Sequence, residues 1–124
     1  MTFARAWDPQ PFHVDAEAAK RSQIGELIAS GWHTAAMMVR MVCDEYLLDS
    51  ASEGGPGVEE IRWLKPVRPG DRLHVRRTTL SARVSSSRPR IGALEFRIDV
   101  NVGSGETALT MRGSSFMRRR EAAL

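Results

Sequence analysis

The sequence predicts an α+β domain in which an antiparallel β-sheet wraps around one long central α-helix. Residues 32–39 carry no formal charge, and a helix that is apolar on nearly all sides is buried. From residue 58 onward, apolar and polar residues alternate, as they do in strands with one buried face. The 124 residues suit one domain, which we assign to residues 1–124.

Short elements and then the central helix are expected in the first half of the chain. Apolar residues alternate with small or polar ones over Phe3–Trp7, which is compatible with a short strand. Asp8–His13 is predicted to be a stiff, non-helical loop, because each of its prolines biases the preceding residue toward extended geometry. Asp15 suits the N-cap of a short helix that follows it. The central helix is predicted over residues 32–48, with its first two turns enclosed and its C-terminal end in solvent.

In the second half, antiparallel strands are predicted. Residues 94–102 alternate strictly, and Gly103-Ser104-Gly105 is typical of a hairpin turn before the last strand. Loops are expected over 52–57 and 85–90, and a turn over Lys65–Asp71. The predicted strands are Val58–Leu64, Leu73–Val75, Leu80–Val84, Leu94–Val102 and Ala108–Met117.

Charge is divided unequally along the chain, whose net charge is +3. Residues 1–61 hold four Lys/Arg and ten Asp/Glu, whereas residues 62–124 hold fourteen and five. The basic residues are nearly all arginine, which suits bidentate contacts to phosphate. An anionic partner and a solvated, arginine-rich sheet face both explain this excess, and the sequence leaves both open. No basic motif with interleaved aromatic residues is present, so nucleic acid is not expected as a partner.

Composition narrows the class of protein further. No stretch approaches the roughly 18 apolar residues of a membrane span, and the N-terminus lacks the apolar segment of a secretory signal. A cytoplasmic protein with no membrane partner is therefore expected. Cys43 is the only cysteine, which excludes an intrachain disulfide and a cysteine zinc cage. The three histidines are dispersed, so no metal site is predicted.

Two short segments are candidates for chemistry. Asp8 and His13 lie five residues apart across a proline-rich stretch. Such a pair suits proton transfer, because the imidazole titrates near neutral pH and the carboxylate can orient it or share a water with it. The alternative is ordinary turn chemistry, with Asp8 accepting backbone hydrogen bonds.

The second segment is the helix entry Ser30-Gly31-Trp32. The first amides of a helix have no internal partners, so the amides of Gly31 or Trp32 could stabilise an oxyanion. The alternative is a glycine that merely packs the helix start against a strand. His33 is a candidate for either a core histidine or a pocket-lining residue.

Together these segments resemble the MaoC-like family, which includes R-specific enoyl-CoA hydratases. That family carries D-x-N-P-x-H-x-D, then a glycine at the entry of the central helix, then a P-V-x-x-G-D turn. The matching residues are Asp8, Gln10, Pro11, His13 and Asp15, then Ser30-Gly31, then Pro66–Asp71.

The resemblance implies the hot-dog fold and a catalytic pair formed by Asp8 and His13, with the Gly31 amide facing a thioester carbonyl. It implies interconversion of a trans-2-enoyl thioester and its (R)-3-hydroxyacyl thioester, on CoA or an acyl carrier. No cofactor is expected beyond CoA as the substrate's carrier, and a homodimer or a dimer of dimers is implied. Residues expected to bind substrate are Gln10, Pro11, Phe12, Ser30, Trp32 and His33.

Departures from the family pattern leave two alternatives open. Gln10 stands where Asn is usual, Ser30 stands where His is common, and Trp32 adds a large ring at the expected tunnel mouth. The chain also has fewer residues before Asp8 than the family usually has. The alternatives are a non-catalytic subunit that binds acyl thioesters and a hot-dog acyl-CoA thioesterase.

Overall fold

Four helices precede four strands in the computed structural model, which describes residues 1–120. The predicted single domain includes residues 121–124, which lie outside the described residues. The central helix is followed by a short 3-10 turn at Leu47–Asp49. The helices are α1 (Thr2–Trp7), α2 (Pro11–Val14), α3 (Ala16–Arg21) and α4 (Gly31–Glu45), and the strands are β1 (Gly57–Trp63), β2 (Leu73–Val84), β3 (Ile91–Val102) and β4 (Thr107–Arg118).

The strands form one antiparallel sheet in the order β1-β4-β3-β2. One face of α4 packs on the centre of this sheet, where Met38 and Val42 meet Ile98, Val100 and Leu109. These residues recur at helical spacing on α4 and at alternate positions on β3, as the sequence pattern requires. The predicted α+β arrangement of a sheet around a long helix is confirmed.

The predicted strand over Phe3–Trp7 is wrong, because these residues lie in helix α1. Alternation over only five residues cannot distinguish a strand from a short helix of about one and a half turns. Ala4 and Ala6 favour the helix, and the N–H of Asp8 closes it on the carbonyl of Ala4 at 2.8 Å.

The expectation that Asp8–His13 is entirely non-helical is also wrong. Gln10 is extended, as a residue before proline should be. Pro11, however, occupies the first position of α2, where its missing N–H costs nothing and its fixed φ suits a helix. Asp15 caps α3 as predicted, accepting from the N–H groups of Glu17 and Ala18.

Helix α4 ends at Glu45, three residues before the predicted end. Its predicted enclosure is correct for one face only. Thr34, Met38 and Val42 are buried, whereas Trp32 is 58% exposed and Val39 is 47% exposed. The apolar run thus includes both the face that packs on the sheet and a second face that residues 1–120 leave partly exposed.

The predicted strands of the second half are confirmed, with one revision. Leu73–Val75 and Leu80–Val84 are parts of a single strand, β2, whose pairing with β3 shifts register between Thr79 and Ser81. The Lys65–Asp71 turn is present, closed by the N–H of Arg68 donating to the Asp71 carboxylate at 2.9 Å. Within the described residues, no helix is long and apolar enough to cross a membrane.

Candidate active site

Two short helices place Asp8 beside His13. Asp8 is the residue at which α1 ends, and His13 lies within the single turn of α2. His13 is buried, with 7% of its surface exposed. Its Nε2 lies 3.4 Å from Asp8 Oδ2. The proline-containing segment between them thus reverses the chain direction and brings the two side chains together.

The backbone of the segment before α4 fixes the orientation of the imidazole. His13 Nδ1 lies 2.9 Å from the carbonyl oxygen of Ile28. Because a carbonyl can only accept, Nδ1 carries the hydrogen, and Nε2 of the neutral ring presents a lone pair. The segment is held from both sides, since Ile28 N–H donates to Phe12 O at 3.2 Å and Ala29 N–H donates to Val67 O at 2.8 Å.

Two side chains hold Asp8 in its ionised form. The Ser30 hydroxyl donates to Asp8 Oδ2 at 2.6 Å, and Gln10 Nε2 donates to Oδ1 at 2.7 Å. The hydrogen bond from Ser30 lowers the pKa of Asp8 most, and that from Gln10 lowers it further, while partial burial opposes both. Asp8 is therefore a carboxylate at neutral pH, and its Oδ2 faces Nε2 of His13, which in the neutral ring is also an acceptor. Two such acceptors can both receive hydrogen bonds from one water molecule.

The start of α4 supplies a backbone donor to the same region. Ser30 caps the helix, its Oγ accepting from Trp32 N–H at 3.3 Å and its carbonyl from the N–H groups of His33 and Thr34. Within residues 1–120, the N–H of Gly31 takes part in no hydrogen bond. A free amide at a helix N-terminus is suited to an oxygen that gains negative charge.

These groups border one cavity of about 440 Å³. Its wall is mostly apolar, and Asp8, His13 and Lys65 are the titratable side chains that line it among the described residues. Residues 63–67, where β1 ends and the turn begins, also line it. Within the same part of the chain, no group of three or more His, Cys, Asp or Glu side chains could hold a metal ion.

Five of the nine predicted site residues meet at this cavity. Asp8, His13 and Gly31 surround it together with Gln10 and Trp32. Their catalytic and binding roles stay predictions, and the structure brings these five residues together at one cavity.

The other four predicted site residues do not line this cavity. Ser30 is fully buried behind Asp8, and Phe12 packs edge-on against the His13 ring at 4.6 Å. Pro11 starts α2 and is exposed. His33 stacks on Phe3 at 4.7 Å and lines a second cavity of about 380 Å³. Burial, with a smaller effect of the N-terminal ammonium, lowers the pKa of His33.

Three features of the site were missed from the sequence. The Ile28 carbonyl orients His13, Thr34 lines the cavity from the first turn of α4, and Trp63 packs over Gly31. A backbone carbonyl leaves no signature in a sequence. Trp63, however, is a large aromatic residue at the end of a predicted strand, just before the P-V-x-x-G-D turn, and that position could have identified it.

Comparison with known proteins assigns the family. The family model described as "MaoC like domain" matches residues 1–92. A MaoC-like dehydratase from Rhodospirillum rubrum is 39% identical, with a TM-score of 0.88 over 98% of this chain and 82% of that chain. A protein from Archaeoglobus fulgius described as a monoamine oxidase regulatory protein is 27% identical, with a TM-score of 0.85 over 97% of this chain and 80% of that chain.

Two further similarities are more limited. The uncharacterized protein YdeM of Bacillus subtilis (strain 168) is 34% identical over 73 residues, which are 59% of this chain. The match spans 52% of the length of that relative. An (R)-hydratase from A. caviae involved in PHA biosynthesis is 20% identical, with a TM-score of 0.70 over 92% of this chain and 81% of that chain, and this likeness shows the fold alone.

The chain belongs to the MaoC-like dehydratase family and has its hot-dog fold. The resemblance seen in the spacing of the D-x-x-P-x-H motif, the helix-entry glycine and the turn at residues 66–71 is thereby confirmed.

Proposed function

We propose that this protein is a hydratase/dehydratase that interconverts a trans-2-enoyl thioester and its (R)-3-hydroxyacyl thioester. The observation that supports this proposal most is the placement of three groups at one cavity. A carboxylate, an imidazole nitrogen and a backbone N–H that has no hydrogen-bond partner within residues 1–120 all border it. Conjugate addition of water needs a base for the water and a donor for the thioester oxygen.

In the proposed hydration, one water donates its two hydrogens to Asp8 Oδ2 and His13 Nε2. His13 takes one proton while the water oxygen bonds to C3 of the enoyl group. The π electrons move onto the thioester carbonyl oxygen, where the Gly31 N–H stabilises the enolate. The imidazolium, stabilised by the Asp8 carboxylate, then returns its proton to C2. Water is added across the double bond with no net change in oxidation state, and dehydration is the same sequence reversed.

The proposed substrate carrier is CoA or an acyl carrier protein. Lys65 is a cation at the cavity wall, and an anionic carrier would meet it there. Because the addition is redox-neutral, the proposal includes no cofactor beyond the carrier.

A homodimer, or a dimer of dimers, is the proposed assembly. Its support is the second apolar face of α4, on which Trp32 and Val39 are exposed in the single chain. Strand β1 is also at an edge of the sheet, so its outer hydrogen-bonding groups are available to another strand.

A direct test follows the loss of the conjugated-thioester absorbance with a panel of trans-2-enoyl-CoAs. Asp8→Asn and His13→Ala should each lower kcat about 10²- to 10⁴-fold, as expected when a general acid or base is removed. Asp49→Asn and His74→Ala are matched controls, because both side chains are exposed and lie away from the cavity, and both variants should keep wild-type rates.

Other outcomes would contradict the proposal in distinct ways. Unchanged rates in Asp8→Asn and His13→Ala would remove the roles assigned to these residues. Acyl-CoA binding in calorimetry with no turnover of any chain length would favour a non-catalytic subunit. Release of free thiol from saturated acyl-CoA would favour a thioesterase.

A further inference from the structure

Trp63 ends strand β1 and packs directly on the start of the central helix. A Cβ placed on Gly31 would lie 2.5 Å from Trp63 Nε1, 2.6 Å from Cε2 and 2.9 Å from Cδ1. The pyrrole edge of the indole, which carries its N–H, therefore occupies the space that a side chain at position 31 would fill. Trp32 contacts the same ring edge-on, with centroids 4.9 Å apart and an interplanar angle of 76°.

Pairing of β1 with β4 fixes the position of Trp63. Trp63 is opposite Leu109 in the sheet, and the N–H of the next residue, Leu64, donates to Ala108 O at 2.8 Å. Leu109 is fully buried. The indole is thus anchored at its backbone to the core of the sheet while its ring reaches the cavity wall.

The two nitrogens are close enough to share one acceptor. In standard geometry a Cβ lies about 2.5 Å from the nitrogen of its own residue, so Trp63 Nε1 is within about 5 Å of Gly31 N. Two N–H groups that each donate to one oxygen at about 2.9 Å can be as much as about 5.8 Å apart. Within residues 1–120, neither N–H takes part in a hydrogen bond.

We propose that the indole N–H of Trp63 is a second donor to the thioester carbonyl oxygen, beside the Gly31 N–H. Trp63 is then a further catalytic residue of the reaction proposed above, and this inference rests on that proposed function. As water adds to C3, negative charge collects on the carbonyl oxygen, and two fixed donors stabilise it more than one. The indole also has a packing role on Gly31, which a phenyl ring would fill without donating a hydrogen bond.

Trp63→Phe separates the two roles, because it keeps an aromatic ring and removes the donor. We expect kcat for trans-2-butenoyl-CoA to fall about 10²- to 10³-fold while KM changes much less, since removal of one oxyanion donor acts on the transition state. Trp7→Phe is the matched control, because Trp7 is 77% exposed on α1 and does not line the cavity, and it should keep wild-type kcat. A Trp63→Phe kcat within twofold of wild type would overturn the inference. An inactive wild-type protein would instead count against the proposed function.

A second measurement uses the wild-type protein and does not depend on the folding of a variant. The three tryptophans give three indole ¹⁵N–¹H correlations, which can be assigned by their loss in Trp→Phe variants. On saturation with butanoyl-CoA, which cannot be hydrated, the Trp63 indole proton should move downfield and that of Trp7 should not move. An unmoved Trp63 signal, with binding of butanoyl-CoA established by calorimetry, would also overturn the inference.

Discussion

Gly31→Ala is a direct perturbation of the contact between the helix entry and Trp63. The added methyl would lie 2.5 to 2.9 Å from three atoms of the indole. Ordinary carbon contacts are about 3.5–4.0 Å, so the overlap is about 1 Å. Either the ring or the first turn of α4 must move to relieve it.

The expected cost follows from this overlap and from the freedom of the ring. Overpacking of this kind costs about 1–3 kcal/mol. Trp63 is 41% exposed and can yield toward solvent, which places the cost in the lower half of that range. Replacing glycine with alanine in a helix raises the free energy of unfolding by up to about 0.5–1 kcal/mol. Gly31 is the first residue of α4, so a gain of about 0.5 kcal/mol applies and the net loss in free energy of unfolding is about 0.5–1.5 kcal/mol. For a chain of this length that corresponds to a fall in Tm of about 2–7 °C.

A double-mutant cycle in thermal unfolding tests this prediction. In a Trp63→Ala background the methyl meets no ring, so the cost of Gly31→Ala should disappear, leaving a coupling of at least about 1 kcal/mol. Gly103→Ala is the matched control, because nothing lies within 4 Å of its Cβ position and its φ is not positive. An unchanged Tm for Gly31→Ala, or an equal cost in both backgrounds, would refute the packing argument.

Two further perturbations have expected outcomes. Ser30→Ala removes the main hydrogen bond that lowers the pKa of Asp8, so that pKa should rise and the acidic limb of the kcat/KM profile should move to higher pH. A carboxyl group whose pKa is lowered by folding stabilises the fold at pH values above its unfolded-state pKa, and this stabilisation is lost as the pH falls. The loss of unfolding free energy caused by Ser30→Ala, measured by urea unfolding, should therefore be larger at neutral than at acidic pH. An unmoved limb would contradict the role given to Ser30. Val39→Asp places a charge on the exposed face of α4 and should convert the proposed dimer to monomer in sedimentation velocity, whereas Leu80→Asp on β2 should not. A monomeric wild type, or a dimeric Val39→Asp variant, would contradict the proposed interface.

The fold was predictable where long stretches keep one hydrophobic period. Alternation over residues 94–102 identified β3 because its apolar side chains face α4 and its polar ones face away. The short α1 was misassigned, because few residues carry little periodicity. The burial of α4 was overestimated for another reason. An apolar residue such as Val39 indicates that a contact with other apolar residues is favoured, but not whether the same chain or another molecule supplies that contact.

The site was predictable where its chemistry is local. Asp8 and His13 are near neighbours in sequence, and the geometry of residues 8–13 brings them together. The Ile28 carbonyl and the Trp63 ring could not be derived in the same way. The hydrogen bond to Ile28 depends on the path of the loop before α4, and the contact of Trp63 depends on a strand that pairs far along the chain.

Different parts of the chain line the cavity. The groups proposed to move protons come from residues 8–13, a compact unit closed by its own hydrogen bonds. Another part of the lining comes from residues 63–67 and Ala108, at the end of β1 and the start of β4. In the proposed enzyme, exchanges at residues 64–67 and Ala108 would alter which acyl groups are accepted while leaving Asp8, His13 and Trp63 intact, so selectivity could evolve without rebuilding the reaction.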